Sequence, residues 1–272
     1  MCQKPWELML SSSRTDWAFP RQFVLSAPVD DVDLPSALSF ISHQLQTGTQ
    51  ELQHIVTVNP EFVIAARRDP AFARVLRESA LATADGVGIV LAGRVLGVPV
   101  GPRVTGVELV EGIAALSARD EAARLFLLGA AEGVADEAAT QLRERYPGAR
   151  IAGIISGSPH DVDWPDIERR LAEAGATILL VAFGHPAQDL WIAQHREALV
   201  SHGILVAIGV GGAFDYLSGR VPRAPRLVRR AGLEWLYRLI RQPWRWRRQL
   251  ALPIFVLLVL RERVRRMMPR QP

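Results

Sequence analysis

The chain has 272 residues, a hydrophobic content of 49% and a formal net charge of +4. A chain of this length and composition can bury a large core in one globular body that carries an appendage. Cys2 is the single cysteine, which excludes an internal disulfide and a metal site built from cysteines and is typical of a reducing cytoplasm.

Residues 1–50 are predicted to form an N-terminal lead followed by a helix. The sequence Asp33-Leu34-Pro35-Ser36, followed by Ala37 to Leu45, indicates that helix. The segment before Arg21 is predicted to be a disordered lead. These fifty residues lack the continuous apolar core of a secretion signal, so we do not expect export.

Residues 51–219 alternate short apolar runs with helix-length segments. This alternation predicts an α/β fold with a Rossmann-like, mostly parallel sheet that is flanked by helices on both faces. The predicted strands are His54 to Val58, Leu125 to Leu128, Ile151 to Ile155, Ile178 to Phe183 and Ile204 to Val210. The predicted helices are Gly133 to Tyr146, Asp166 to Ala174 and Pro186 to Leu199.

Polar or glycine-bearing turns follow four of the predicted strands. Ligands of open parallel sheets bind beyond the carboxyl ends of the strands, and glycines let backbone N–H groups approach phosphate oxygens. The turns therefore predict a nucleotide or sugar-phosphate pocket, although each glycine alone could equally be a turn or a helix cap. Their sequences are Asn59-Pro60-Glu61, Gly129-Ala130-Ala131-Glu132-Gly133, Gly184-His185-Pro186-Ala187-Gln188-Asp189 and Gly211-Gly212-Ala213-Phe214-Asp215.

Other phosphate-binding and metal-binding signals are missing from the sequence. No G-x-G-x-x-G follows the first predicted strand, which argues against a dehydrogenase, and Lys4 is the only lysine, which excludes a Walker motif. The histidines His54, His185 and His195 lack the spacing of metal ligands, so we predict no metal and expect them to be structural or exposed.

Asp85 and Arg103 are two further candidate site residues. Asp85 lies in Ala84-Asp85-Gly86 between predicted helical stretches, where it could cap the next helix or act as a general base; its local sequence alone favours capping. Arg103 precedes a predicted helix start at Thr105-Gly106, a position that suits either a pyrophosphate contact or a surface ion pair.

Residues 220–272 form a basic tail. They contain fifteen arginines and two acids, about +13, so the rest of the chain sums to about −9. The apolar run from Leu250 to Leu260 is too short for a transmembrane helix, which needs roughly 20 residues. Pro253 suits the first turn of a helix. We predict a helical appendage that associates with anionic lipids, while a core helix with solvated flanks stays an alternative and nucleic-acid binding is not expected.

Nine short motifs follow one another over roughly residues 50 to 248. They are Thr57-Val58-Asn59-Pro60-Glu61, Ala84-Asp85-Gly86, Arg103-Val104-Thr105-Gly106, Phe126-Leu127-Leu128-Gly129, Tyr146-Pro147-Gly148, Gly184-His185-Pro186-Ala187-Gln188-Asp189, Gly209-Val210-Gly211-Gly212-Ala213-Phe214-Asp215, Arg223-Ala224-Pro225 and Leu233-Glu234-Trp235-Leu236-Tyr237-Arg238. Taken together and in this order, they resemble the WecG/TagA/CpsF glycosyltransferase family.

The resemblance implies an inverting transferase on the inner face of the cell membrane. Its donor would be a UDP-sugar and its acceptor a polyprenyl-pyrophosphate-linked saccharide, in the synthesis of exopolysaccharide, capsule or wall polymer. The family pattern has Pro-Lys-Gln-Glu where this chain has Pro186-Ala187-Gln188-Asp189, so the donor sugar stays open among N-acetylmannosamine, glucose, mannose and a uronic acid. No cofactor is expected, and a homo-oligomer is left open.

The resemblance also implies roles for particular residues. Asp85 would be the catalytic base, which replaces the capping interpretation. The other implied catalytic or pocket residues are Thr57, Asn59 and Arg103, and the nucleotide-binding positions are Gly129, Gly184, Gln188, Gly211, Gly212 and Asp215. Because no metal is predicted, arginines should stabilise the departing UDP, and we expect Arg223, Arg230 and Arg238 to do so or else to attract lipid. A non-catalytic nucleotide-sugar-binding scaffold and a nicotinamide-dependent enzyme are the alternatives.

Overall fold

A computed structural model of the protein describes residues 19–48, 50–225, 227–228, 233–241, 243, 246 and 250–268. Of the predicted lead before Arg21, residues 1 to 18 lie outside these ranges. The division of the chain into a lead, a body of residues 51–219 and an appendage from residue 220 stays a prediction.

The N-terminal part contains a hairpin and a helix. The antiparallel strands β1 (Arg21–Val24) and β2 (Ala27–Asp30) were not predicted, because each has four residues and Pro28 weakens the strand signal. Helix α1 (Leu34–Thr47) confirms the predicted helix, and its N-cap Asp33 accepts a hydrogen bond from the Ser36 N–H at 2.9 Å.

Six parallel strands form the central sheet. They are β3 (Gln53–Val58), β4 (Leu81–Ala84), β5 (Leu125–Gly129), β6 (Ile151–Ile155), β7 (Ile178–Ala182) and β8 (Val206–Gly209), in the order β4-β3-β8-β7-β5-β6. The predicted α/β fold and its five strands are confirmed. Strand β4 was missed because its sequence, Leu-Ala-Thr-Ala, is short and rich in alanine. Asp85 therefore follows a strand and does not lie between helical stretches as predicted.

The helices of the body lie on both faces of the sheet. They are α2 (Pro60–Arg68), α3 (Pro70–Glu78), α4 (Val87–Leu96), α5 (Gly106–Ser117), α6 (Val134–Arg145), α7 (Trp164–Ala174), α8 (Ala187–Gln194), α9 (Arg196–Ser201) and α10 (Ala213–Leu217). The predicted helix Pro186 to Leu199 is divided between α8 and α9. The division falls at His195, whose Nδ1 lies 2.9 Å from the Trp191 carbonyl oxygen.

Alternating strand residues explain why both faces are covered. Ile55, Leu127 and Ile208 point into a core formed with α1, α5 and α6. On the other face one cluster packs β3 and β4 against α2, α3 and α4, and another packs β5 and β7 against α7, α8 and α9. Strands buried on both faces are typical of parallel sheets.

Two helices of the basic tail are described, α11 (Glu234–Arg241) and α12 (Ala251–Met267). Leu250 is the N-cap of α12, and the helix contains the rest of the apolar run, with Pro253 in its first turn as predicted. Phe255 and Val259 are buried against α2 and α4, so this helix packs on the body along one side. Within the described ranges, no helix combines the length and the apolar character that crossing a membrane requires.

Candidate functional site

A cavity of about 850 Å³ lies at the carboxyl edge of the sheet. Residues that follow β3, β4, β5, β7 and β8 line it, as the sequence predicted for a parallel sheet. Helices α11 and α12 supply a further wall, which includes Trp235, Leu252 and Phe255. The cavity therefore joins a polar floor from the sheet to an apolar wall from the C-terminal segment.

Asp85 lies on the floor of this cavity, directly after β4. Its backbone N–H donates to the Val58 carbonyl oxygen at 2.8 Å, which extends the pairing of β3 and β4 by one residue. The N-cap of helix α4 is Gly86, and no side chain forms a capping hydrogen bond there, so the interpretation of Asp85 as a helix cap is wrong. Gly86 has a φ of +105°, which favours glycine and turns the chain sharply into α4.

The protonation of Asp85 is set mainly by its surroundings in the cavity. Burial raises the pKa of Asp85 from its ordinary value of 3.8 to about 7. The charges that act on this pKa come from two arginines, which lower it, and two glutamates, which raise it: Arg103 and Arg223, Glu108 and Glu234. A carboxyl group with such a pKa can exchange protons near neutral pH.

Arg103 points into the cavity and contacts two carboxylates there. Its ion pairs therefore lie in the cavity, unlike the surface ion pair that the sequence also allowed. Its Nη2 lies 3.3 Å from Glu108 Oε1, and its Nη1 lies 3.3 Å from Glu234 Oε2. Glu108 is itself fixed by Thr105, because the two residues form a capping box at the start of α5. The local sequence that begins α5 thus also positions the guanidinium group.

Thr57 and Asn59 line the cavity at the end of β3. The Thr57 hydroxyl donates to the Gly209 carbonyl oxygen at 3.3 Å, which links β3 to β8. Asn59 is the N-cap of α2, and its Oδ1 accepts from the Phe62 N–H at 3.1 Å. Both side chains therefore also hold the ends of the elements that surround the cavity.

Gln188 connects the turns that follow β7 and β8. Its Oε1 accepts from the N–H of Gly184 at 3.2 Å and from the N–H of Gly211 at 2.9 Å. These two N–H groups were expected to approach a nucleotide directly, but they are already bound to Gln188. Gly212 and Asp215 line the cavity beside them.

Gly129 is the one glycine of the expected nucleotide-binding set that does not line the cavity; Ala130 and Ala131 do so in its place. Its φ is +96°, and a Cβ atom here would lie 2.8 Å from Phe183 Cδ1. Close packing and the backbone conformation therefore explain why a glycine occupies this position.

Among the three arginines expected to bind the leaving group, Arg223 lines the cavity. Its Nη1 lies 3.8 Å from Glu111 Oε2, and its Nε lies 3.9 Å from Glu234 Oε1. Arg230 and the side chain of Arg238 lie outside the described residues.

The histidines have different surroundings. His54 is fully buried, and its Nε2 lies 3.2 Å from Asp189 Oδ1. His195 contacts the rings of Trp164 and Trp191, so both histidines are structural as predicted. His185 lies at the cavity wall, stacked on Phe62, a position that the sequence did not reveal. In the described part of the chain, no group of three or more His, Cys, Asp or Glu side chains could hold a metal ion.

Sequence reasoning also missed Glu108 and Glu234, which surround the arginines of the cavity. One signal for Glu234 existed, since it is one of only two acids among the fifteen arginines of residues 220–272. An acid in such a basic segment is expected to have a cationic partner.

The sequence is similar to a known protein family and to named bacterial proteins. The model of the glycosyl transferase WecG/TagA/CpsF family matches residues 22–269. A protein of Bacillus spizizenii (strain ATCC 23059 / NRRL B-14472 / W23) is 33% identical over 238 residues, which cover 86% of this chain and 90% of that protein. A protein of Bacillus subtilis (strain 168) is 36% identical over 208 residues, 76% of this chain and 79% of that protein.

A third relative, from Staphylococcus aureus (strain MW2), is 32% identical over 205 residues, 74% of this chain and 77% of that protein. All three are named N-acetylglucosaminyldiphosphoundecaprenol N-acetyl-beta-D-mannosaminyltransferase. The family match extends over the sheet, the cavity and both helices of the tail. The chain therefore belongs to the WecG/TagA/CpsF family and is a glycosyltransferase.

Proposed function

We propose that the protein transfers a hexose or an N-acetylhexosamine, of the N-acetylmannosamine type, from a UDP-sugar to a polyprenyl-diphosphate-linked saccharide with inversion. The observation that carries this proposal is the position of Asp85, a carboxyl group with a pKa of about 7 on the floor of a cavity that also holds Arg103 and Arg223. The acceptor would be the N-acetylglucosaminyl lipid that the names of the relatives state.

In the proposed reaction, Asp85 removes the proton from the attacking hydroxyl of the acceptor sugar. The acceptor oxygen forms a bond to the anomeric carbon while the bond from that carbon to the UDP oxygen breaks, and UDP leaves with its electron pair. A base with a pKa near the working pH suits this proton transfer. Arg103 and Arg223 stabilise the negative charge that develops on the leaving diphosphate, a task for which fixed guanidinium groups are suited.

The remaining polar residues of the site hold and orient the substrates. Thr57 and Asn59 lie on the same cavity floor as Asp85, while Gln188, Gly212 and Asp215 lie at the ends of β7 and β8. We assign the second group to the donor. The N–H groups that Gln188 fixes keep the two donor-side turns together, so Gln188 acts on the donor through the shape of these turns.

The C-terminal segment would bring the cavity to the lipid-linked acceptor at the inner face of the cell membrane. Ile254, Leu257 and Leu260 of α12 are 39%, 66% and 52% exposed, and Leu260 also lines the cavity. The arginines that follow them would attract anionic lipid headgroups, each contributing about 1 kcal/mol. An apolar face of this kind beside basic residues fits a helix that lies in the membrane surface.

A panel of radiolabelled UDP-sugars tests the proposal. The full-length protein is incubated with each donor and a polyprenyl-diphosphate-linked N-acetylglucosamine in detergent micelles, and the lipid product is analysed by chromatography and NMR. We expect a disaccharide lipid with inverted anomeric configuration from one N-acetylhexosamine or hexose donor. A product with retained configuration, or no product from any donor, would refute the proposal; UDP binding without any product would favour a non-catalytic scaffold.

A further inference from the structure

Glu234 contacts both arginines of the cavity. One of its carboxylate oxygens, Oε2, lies 3.3 Å from Arg103 Nη1, and the other, Oε1, lies 3.9 Å from Arg223 Nε. A single anionic group thus stands between two guanidinium groups that come from different parts of the chain. This is also the arrangement in which arginines commonly bind a phosphate group.

These contacts are loose for charged partners. Hydrogen bonds between guanidinium and carboxylate groups usually measure about 2.7 to 2.9 Å. The Nε of Arg223 is buried, and no described residue accepts a hydrogen bond from it. Because a buried donor without an acceptor is destabilising, an additional acceptor at this point would stabilise the protein.

The charge balance around the two arginines disfavours a second anion while Glu234 stays in place. Glu108 contacts Arg103, and Glu111 lies 3.8 Å from Arg223. With Glu234 between them, both guanidinium groups already face two carboxylates each. A diphosphate that entered the same space would meet like charges at short range, which weakens binding.

We propose that Glu234 is a resident counter-ion that a substrate diphosphate displaces from between Arg103 and Arg223. The inference rests on the proposed function only in taking the displacing group to be a diphosphate, which both proposed substrates carry. Glu234 acts before the reaction, as an autoinhibitory contact. The buried Nε of Arg223 receives an acceptor when the diphosphate replaces the carboxylate.

Displacement of Glu234 also affects the C-terminal segment, because Glu234 is the first residue of α11. An acid in the first turn stabilises a helix through the helix dipole, and the contact with Arg103 fixes this turn on the body. Trp235, the next residue, lines the cavity. Release of Glu234 therefore loosens the start of α11, so diphosphate binding and the order of this helix are coupled.

Glu234→Gln tests the competition, since glutamine has the same shape and no charge. The affinity of the full-length variant for UDP and for farnesyl diphosphate is measured by calorimetry. Coupling between linked sites is commonly about fivefold or more, so we expect at least one ligand to bind about fivefold more tightly. A gain with UDP agrees with the role of the two arginines in the proposed function. A gain with farnesyl diphosphate alone would support the displacement but place the acceptor diphosphate there, which would contradict that role. Unchanged or weaker binding of both ligands overturns the proposal.

Glu262→Gln is the matched control for the change in net charge. Glu262 contacts Arg265 and Arg266 on α12 and does not line the cavity. We expect this variant to bind both ligands as the unchanged protein does. An equal gain in Glu262→Gln would show that net charge explains the effect, and would also overturn the proposal.

Hydrogen exchange measures the coupling to α11 without any sugar transfer. Adding inorganic pyrophosphate to the unchanged protein should accelerate exchange of the amides of residues 234–241. In Glu234→Gln these amides should exchange quickly before pyrophosphate is added and respond little to it. If pyrophosphate slows this exchange, or leaves its rate the same, in the protein without a substitution, the displacement is contradicted. If both binding results hold but no donor is transferred, the proposed function fails while this inference stands.

Discussion

Among the individual residues, Asp85 is the one whose chemistry depends most on position. Its backbone continues β4, while its side chain lies on the floor of a largely apolar cavity. Burial disfavours the charged form of a carboxyl group, which is why its pKa rises to about 7. The same side chain on an exposed turn would be ionised throughout the physiological range and would be a weaker base.

The pH dependence of transfer should report this carboxyl group. Asp85 accepts a proton only when it is ionised, so kcat/KM should fall as the pH falls through about 7 and level off above it. The measurement is kcat/KM for the donor between pH 5.5 and pH 9, with Glu262→Gln as a control that should keep the same profile. A profile that stays flat down to pH 5.5 would mean that the base has an ordinary carboxyl pKa.

The sequence alone could not assign Asp85 by physical reasoning. Its neighbours, Ala84 and Gly86, suit a helix cap as well as a catalytic turn, and the resemblance to a family was needed to choose the base. The raised pKa depends on burial and on charges from α5 and the tail, which are far from Asp85 in the sequence. Such long-range proximity is a property of the fold.

Among the elements, the turns after the strands build the site, and Gln188 shows how two of them are held together. Strands with strong apolar runs, such as β5 and β7, were predictable because burial on both faces requires such sequences. The four-residue strand β4 and the hairpin of β1 and β2 were not, since their pairing partners decide their conformation.

Gln188→Ala should destabilise the protein and weaken donor binding. The substitution leaves the N–H groups of Gly184 and Gly211 without their acceptor, which costs about 1 to 3 kcal/mol for each buried group that stays unsatisfied. Urea unfolding measures the stability and calorimetry the UDP affinity. Gln194→Ala, at an exposed position of the same helix, is the control and should change neither. Equal stability of the two variants would show that the bridge contributes little.

For the whole molecule, positive charge and exposed apolar side chains are concentrated in the tail, whose helices line one wall of the cavity. The tail holds fifteen arginines, and α12 buries one side against the body while its other sides stay exposed. The alternative of a core helix with solvated flanks describes the side of α12 that packs on the body, through Phe255 and Val259. Membrane association itself stays a prediction.

Leu257→Glu should weaken membrane binding. Leu257 is 66% exposed on α12, and inserting a leucine side chain into the interface contributes about 1.5 to 3 kcal/mol. Flotation with vesicles that contain phosphatidylglycerol should show a loss of about tenfold or more in binding, with unchanged UDP affinity. Val162→Glu introduces the same charge at a residue that is 82% exposed and lies outside the cavity and the tail, so its vesicle binding should stay near that of the unchanged protein. Similar losses in the two variants would contradict a docking role for α12.

The central claim is that Asp85 is the base of a sugar transfer in this cavity, and Asp85→Asn tests it most directly. Asparagine keeps the shape of the side chain but accepts no proton, so transfer to the lipid-linked acceptor should fall by a factor of about 10² to 10⁴. UDP should bind within about threefold of its original affinity, because a base on the acceptor side acts mainly in the transition state. Transfer at the original rate, or the loss of UDP binding in this variant, would contradict the role of Asp85.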